Sequence, residues 1–548
     1  MLEVEKTENL RIILWASVIR IDFRGGRMGA KWLNLGEILK VNAKKYANSV
    51  CLKEKNRSFT FAQTSLRVNR LANALLSLGL GKGDKVSCLL ENCVEICELY
   101  FACAKVGVVI NPINFRLSAQ EVLYIADNAD SKAFFVHDEF CPVVDSTRAD
   151  LHNVKNYVSV GEKTSKGYKN YENLLSASTE SEPSVTVEPE DIWILLYTSG
   201  TTGKPKGVLR SHESYIAFYL INAVDFGFTE DDISLTIMPL CHVNSTFFSF
   251  TLTYIGGSIY IHPARNFRAE EVLEVIAREK ITFISLIPTH YNLLLAVPQE
   301  RRSTYDVSSI RKLLCSSAPA RKEMKLAVMD YFKSAQLYEG YGSTEAGIVT
   351  VLKPEEQLKK LGSIGRESCG TDSVKILDEN GNPVARGEVG ELYSKGPMMF
   401  SGYYKMPEKT AQAFKGEYFT ARDMASEDED GYFYLIDRKD NMIITGGEHV
   451  YPSEVEGVIA RHPAVFDVAV IGVEDYKWGE AVKAVVVLKE SATATEQEII
   501  DFCKDKLAPF KKPKSVDFIP DSGMPRTPTG KILHRLLRER YLRNQDNK

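Results

Sequence analysis

From Asn34 to about Ile110 the apolar positions recur at helical spacing, first as Leu35, Ile38, Leu39 and Val41, then from Leu71 to Leu80. Gly81-Lys82-Gly83-Asp84 reads as a turn into a strand, Lys85-Val86-Ser87-Cys88-Leu89-Leu90. Helices and strands alternate in this way to about residue 345, which predicts parallel α/β layers. Residues 161–190 interrupt the pattern with Ser, Lys and Glu and read as a surface excursion. Immediately after them Ile192-Trp193-Ile194-Leu195-Leu196 forms an apolar run that predicts a buried strand.

Past Lys375 the texture changes. Val374-Lys375-Ile376-Leu377 and Gly390-Glu391-Leu392-Tyr393-Ser394 are short strands, parted by the turn chemistry of Asp378-Glu379-Asn380-Gly381-Asn382-Pro383. Asp437-Arg438-Lys439-Asp440 is a charged linker. The remainder, about 110 residues, carries its own apolar strands at Val468–Val473 and Ala484–Leu488 and is long enough for a separate domain. The expected division is an N-terminal extension 1–27, a large domain 28–437 and a C-terminal domain 438–548. In the extension, Leu10–Ile19 is mostly apolar but bounded by Arg11 and Arg20, and Glu3, Glu5 and Glu8 precede it where a signal peptide would be basic. It reads either as a helix docked on the surface or, preferably, as a mis-assigned start ahead of Met28.

Composition narrows the class. The 548 residues are 44% apolar and 26% charged, with 68 basic against 72 acidic side chains. That is an ordinary globular balance, with no basic excess for nucleic acid and no polybasic membrane anchor. The ten cysteines are scattered without a C-x-x-C pair, so neither a disulfide framework nor a metal cage is expected, and a reducing cytoplasm fits. No apolar run approaches the ~18 residues that would span a bilayer.

The chemistry concentrates after the apolar run, in Tyr197-Thr198-Ser199-Gly200-Thr201-Thr202-Gly203-Lys204-Pro205-Lys206-Gly207. Glycines let backbone N–H groups turn inward, hydroxyls add donors, and Lys204 and Lys206 add charge: a cradle for a polyphosphate. A plain surface loop does not need this density of donors. The Walker P-loop fails, because only two residues separate Gly200 from Gly203 and Pro205 stands where a hydroxyl should follow the lysine. The stretch instead resembles the phosphate loop of the adenylate-forming superfamily, which includes acyl-CoA synthetases, adenylation domains of peptide synthetases and luciferases.

That resemblance extends from about residue 34 to 540 through further motifs. Tyr341-Gly342-Ser343-Thr344-Glu345 matches the family's Y-G-x-T-E, which implies Tyr341 stacked on adenine, Thr344 on the α-phosphate and Glu345 on Mg²⁺. Ser316-Ser317-Ala318-Pro319 resembles its adenine-binding turn. Asp423 matches the aspartate that takes the ribose hydroxyls, but Ala421-Arg422 stands where Thr-Gly is usual, and an arginine does not suit a position that needs positive φ. Arg438 matches a ribose- or phosphate-binding arginine, Asp440 the pivot of a mobile C-terminal domain, and Gly446-Gly447-Glu448 a loop lining the pantetheine tunnel. Lys531, in Pro525-Arg526-Thr527-Pro528-Thr529-Gly530-Lys531, matches the mobile catalytic lysine, and His242 a histidine near the acyl pocket, although a lone histidine is as often a packed core residue.

The resemblance implies a large domain of parallel α/β layers with a small β-rich subdomain and a smaller α+β C-terminal domain. It implies an AMP-forming acid–thiol ligase using ATP, Mg²⁺ and coenzyme A on a small carboxylic acid, without nucleic acid or membrane insertion. Acetate-activating relatives carry Trp at the position of Gly342, so a glycine there implies an open pocket floor and a medium- or long-chain acid, with Phe247 and Phe248 as candidate walls. Val243, Asn244 and Ser245 leave room for a polar-tailed, betaine-type acid. Loading of a carrier protein, a luciferase-type oxidation and a nucleotide-binding regulator without catalysis remain alternatives.

Overall fold

A computed structural model describes residues 34–198, 204–263, 265–316, 320–526 and 532–545. Two large sheets carry the N-terminal domain. Among the described residues one has nine strands, running in space from Arg366–Glu367 through Gly347–Leu352, Gln336–Ser343, Lys312–Ser316, Phe283–Leu286, Ile233–Thr236, Ser258–Ile261 and Val50–Glu54 to Arg57–Thr60. The other has eight, from Gly402–Tyr403 through Lys206–Ser211, Ile192–Thr198, Val109–Pro112, Lys85–Leu89, Ser131–His137 and Asn156–Val160 to Lys169–Asn170. The inner strands of both are parallel and the strands at the site end are antiparallel. Parallel inner strands are buried on both faces and need helical crossovers, which is the alternation seen in the sequence.

Helices at the centre of the domain share one core with strands of both sheets, and others pack on one sheet alone. Val94–Val106 has no exposed face and Val243–Ile255 buries nine consecutive residues, Ser245 to Thr253. Around them an aromatic cluster joins the layers: Trp193 packs edge-on against Tyr215, Phe218 stacks on Phe247 with centroids 3.8 Å apart, and Phe248 meets Phe226 and Phe283. The polar stretch 161–190 is pinned at its end, where Asn73 Nδ2 donates to the carbonyls of Thr179 and Ser181 and Lys105 pairs with Glu182.

A four-stranded antiparallel sheet comes next, Lys375–Leu377, Gly390–Tyr393, Asp423–Glu427 and Phe433–Arg438, with Gly381 at φ 85° in the turn that Asn380-Gly381 predicts. Among the described residues the C-terminal domain has a five-stranded sheet in which Val465–Asp475 and Gly479–Leu488 form a long hairpin, covered by Pro452–Ile459, Glu496–Phe502 and His534–Gln545. These strands are longer than the apolar cores that predict them, because pairing continues out to Asp475 opposite Gly479, on either side of the exposed turn Tyr476-Lys477-Trp478. All ten cysteines are free, and only Cys369 is exposed. Among the described residues no helix is long and apolar enough to cross a membrane.

Candidate active site

The apolar run does form a buried strand, and it returns directly as an antiparallel partner: Thr198 stands opposite Lys206 and Tyr197 opposite Gly207. The cradle is therefore the connection of a hairpin, unlike the strand-to-helix turn of a P-loop. Ser199, Gly200, Thr201, Thr202 and Gly203 lie outside the described residues. Lys204 is exposed, 5.4 Å from the Tyr124 ring, while the half-buried Lys206 lies 4.3 Å over Tyr403. Burial pulls the Lys206 amine below its ordinary range.

Alternation along the returning strand puts Lys206, Val208 and Arg210 on one face. Arg210 has no exposed surface. Its Nη1 donates to the carbonyl of Thr344 at 2.8 Å, and its guanidinium lies 5.2 Å from Tyr215 and 5.0 Å from Phe247. Nε and Nη2 have no partner among the described residues, and burial brings its pKa down to about 10. No motif singles this residue out, although period-two alternation from Lys206 points to it.

The second motif is also a hairpin. Gln336–Ser343 turns back into Gly347–Leu352 with a bulge between Tyr341 and Gly342, closed by the Ala346 N–H donating to Ser343 Oγ at 3.0 Å. Glu345 projects from this turn. Its Oε1 accepts the Tyr403 hydroxyl at 2.9 Å, and its carbonyl accepts the Phe400 N–H at 2.7 Å. Tyr341 donates its hydroxyl to Asp423 Oδ2 at 2.6 Å, and Arg438 Nε lies 2.8 Å from Asp423 Oδ1. Tyr341 and Arg438, from separate motifs, thus meet on the Asp423 carboxylate. Burial, with Asp423 alongside, holds the Tyr341 phenol well above its ordinary range. Ser317, Ala318 and Pro319 lie outside the described residues. Ser316, next to them, accepts from Asn244 Nδ2 at 2.7 Å.

His242 caps the helix Val243–Ile255 and lies 3.3 Å from Asn114 Nδ2 through its Nε2. Burial lowers its pKa to about 4, so the imidazole is neutral. The hydroxyl of Ser245 turns back to the Met238 carbonyl. Phe247 and Phe248, the two candidate walls, are 4% and 6% exposed and belong to the aromatic core. Asn244 Oδ1 and Ser285 Oγ are buried with no partner among the described residues.

The linker is tied to the large domain residue by residue. Arg438 pairs with Asp423, Lys439 Nζ with Glu391 at 2.9 Å, and Asp440 with Arg422 Nη2 at 2.7 Å. The structure corrects one expectation: Arg422 does occupy the left-handed region, at φ 65°. Its own N–H donates to Thr420 Oγ1 at 2.8 Å and its carbonyl accepts the Lys439 N–H at 2.8 Å, which fixes the backbone despite the Cβ. Gly446 and Gly447 have φ 61° and 85°, and a Cβ on Gly446 would lie 2.8 Å from the Trp478 ring. Together with Glu448 these glycines are exposed. Lys531 lies outside the described residues.

The family model of the AMP-binding enzyme matches residues 39–404, and that of the AMP-binding enzyme C-terminal domain matches residues 454–531. The long-chain-fatty-acid–CoA ligase FadD13 of Mycobacterium tuberculosis is 36% identical over 488 residues, 88% of this chain and 93% of its own. A feruloyl-CoA synthase of Amycolatopsis is 35% identical over 488 residues, 88% of this chain and 94% of its own. Among solved structures, the anthranilate CoA ligase AuaEII in complex with anthranoyl-AMP superposes with a TM-score of 0.85 at 30% identity, covering 94% of this chain and 98% of that one. The chain belongs to the AMP-binding enzyme family, within its AMP-forming acyl-CoA ligases.

Proposed function

We propose that the chain joins a carboxylic acid to coenzyme A through an acyl-adenylate, releasing pyrophosphate and then AMP. The observation that carries this reading is the meeting of Tyr341 and Arg438 on Asp423 beside Glu345. In this reading the Tyr341 ring lies against adenine, Asp423 and Arg438 take the ribose, and Thr344 contacts the α-phosphate. Thr198 and the loop through Lys204 and Lys206 hold the outer phosphates. Glu345 suits Mg²⁺, since Oε2 has no partner among the described residues and this ion takes one or two carboxylates plus phosphate oxygens. The ion would neutralise phosphate charge. Lys531 approaches for adenylation, the C-terminal domain pivots at Asp440, and the Gly446-Gly447-Glu448 loop then receives the pantetheine arm.

For the acid, a medium or long apolar chain is the first reading, supported by the fatty-acid–CoA ligase relative. A second reading, an acid with a polar tail, is favoured by Asn244 Oδ1 and Ser285 Oγ, which are buried and have no partner among the described residues. Free cysteines support a reducing cytoplasm as the setting. Acid-dependent pyrophosphate release, measured over a panel of acids with and without coenzyme A, tests the proposal. Pyrophosphate without thioester would point to a carrier protein as acceptor, and neither product with any acid would leave a nucleotide-binding regulator.

A further inference from the structure

Residues 438, 439 and 440 are each ion-paired to the large domain, but the three pairs stand differently toward a pivot at Asp440. Arg438 and Lys439 precede the pivot, so their bonds to Asp423 and Glu391 survive any turn of the C-terminal domain. The Asp440 carboxylate hangs from the pivot itself. A rotation about its N–Cα bond carries Cβ, and the carboxylate with it, away from Arg422. The Arg422 fork, with Nε at 2.9 Å and Nη2 at 2.7 Å from the same Asp440 oxygen, is therefore a contact that registers the orientation of the C-terminal domain, beside Ser453, whose N–H donates to Asp437 Oδ2 at 2.8 Å and whose hydroxyl donates to the Ile436 carbonyl.

That orientation is defined. Residues 446–449 are exposed and the Gly446 N–H donates to the Trp478 carbonyl of its own domain, so the loop that would receive the pantetheine arm is not packed on the large domain. Arg422 is also held at φ 65°, a conformation few residues other than glycine adopt, by the Thr420 hydroxyl and the Lys439 N–H. A glycine would fit this backbone without strain but could not reach Asp440.

We propose that Arg422 is a positioning residue that latches the pivot, holding the C-terminal domain in the orientation that precedes thioester formation. This rests on the two-orientation reading of the ligase. Both partners are partly exposed, at 50% and 27%, so the latch is weak and salt-sensitive, suited to bias two orientations without locking one.

Two measurements decide it. In the first, a dye pair is placed on the exposed Cys369 and on a Glu490→Cys substitution, and energy transfer is read without any substrate. The wild type should give one dominant transfer efficiency that broadens in 0.5 M KCl, a concentration at which the Debye length falls to about 4 Å. R422G should be broadened already at low salt, and R422K should lie between the two. In the second, the ratio of thioester formation from bound adenylate to acid-dependent pyrophosphate release should rise two- to fivefold in R422G, with R422K intermediate. Identical transfer distributions for wild type and R422G overturn the latch, as does a ratio that is unchanged or the same in R422K as in R422G. If no acid supports turnover of the wild type, the ligase reading fails, and the transfer measurement still decides the latch.

Discussion

A Cβ atom on Gly342 would lie 2.0 Å from the carbonyl oxygen of Gly347 and 3.0 Å from the Cα of Ile348. The bulge at Tyr341/Gly342 presses the two arms of the hairpin together there. In the sequence, the missing side chain at 342 suggests an open pocket floor. The structure assigns it another cause, the close approach of two backbones, so the glycine says nothing about the length of the acid. Gly342→Ala should destabilise, because small-to-large changes at packed sites commonly cost about 1–3 kcal/mol or more. The expected outcome is a lower melting temperature together with weaker AMP binding, because the same bulge aims Tyr341 at Asp423. An alanine variant with wild-type melting would show that the hairpin can open and would return the pocket-floor reading.

The contrast with Gly342 shows where sequence stops being informative. The Ile192–Leu196 run, the loop after it and Tyr341-Gly342-Ser343-Thr344-Glu345 are legible because each is local: a period, a turn composition, a short motif. The bond from Tyr403 to Glu345 joins residues 58 apart, and Arg210 reaches Thr344 across 134. Neither has a local signature. The positive φ of Arg422 escapes a sequence reading because it depends on Thr420 and Lys439, one of them from the neighbouring strand end. The fold class emerges from alternation, while the packing of Phe247 and Phe248 into the core depends on Phe218, Phe226 and Phe283 arriving from other elements.

Lys531 should serve the first half-reaction only. A cation placed between the attacking carboxylate and the α-phosphate stabilises charge that develops there, and loss of such a contact commonly costs on the order of 10²–10³ in rate. Lys531→Ala should lose acid-dependent pyrophosphate release by about that factor yet convert supplied acyl-adenylate to thioester at the wild-type rate. Equal losses in both half-reactions would remove Lys531 from this role.

Acid stability should depend on His212. It has no exposed surface, its Nδ1 accepts the Leu35 N–H at 3.3 Å, and burial lowers its pKa from 6.5 to about 3. The unfolded chain therefore binds this proton more readily than the folded one. The histidine's contribution is fully present above pH 6.5 and is lost as pH falls toward 3, at about 1.4 kcal/mol per unit of pH. His242 and His290, both lowered to about 4, act in the same direction. His212→Asn keeps an acceptor for Leu35 but cannot charge. Its melting temperature should fall less between pH 7 and pH 5 than that of the wild type, and an equal fall would place the acid sensitivity elsewhere.

The choice between an apolar and a polar-tailed acid turns on Asn244 and Ser285, and it can be made by pairing a substrate series with one substitution. Each methylene buried in an apolar pocket contributes about 0.8 kcal/mol, so kcat/KM should climb about three- to fourfold per carbon from acetate upward until the chain fills its space. A polar tail would instead satisfy Asn244 Oδ1 and Ser285 Oγ, which are buried with no partner among the described residues, a costly state if left unmet. Asn244→Leu separates the two. With an apolar substrate the leucine should leave kcat/KM within about threefold, the worth of roughly one methylene. With a substrate read through its tail, kcat/KM should fall by about tenfold or more, as expected when a partnered buried polar group is lost. Because Asn244 Nδ2 also holds Ser316, the KM for ATP is followed in the same variant, and a parallel rise there would mean that the substitution had disturbed the adenine side instead. A best substrate of two or three carbons would sink the apolar reading, and a series that climbs to a long chain and is indifferent to Asn244→Leu would sink the polar one.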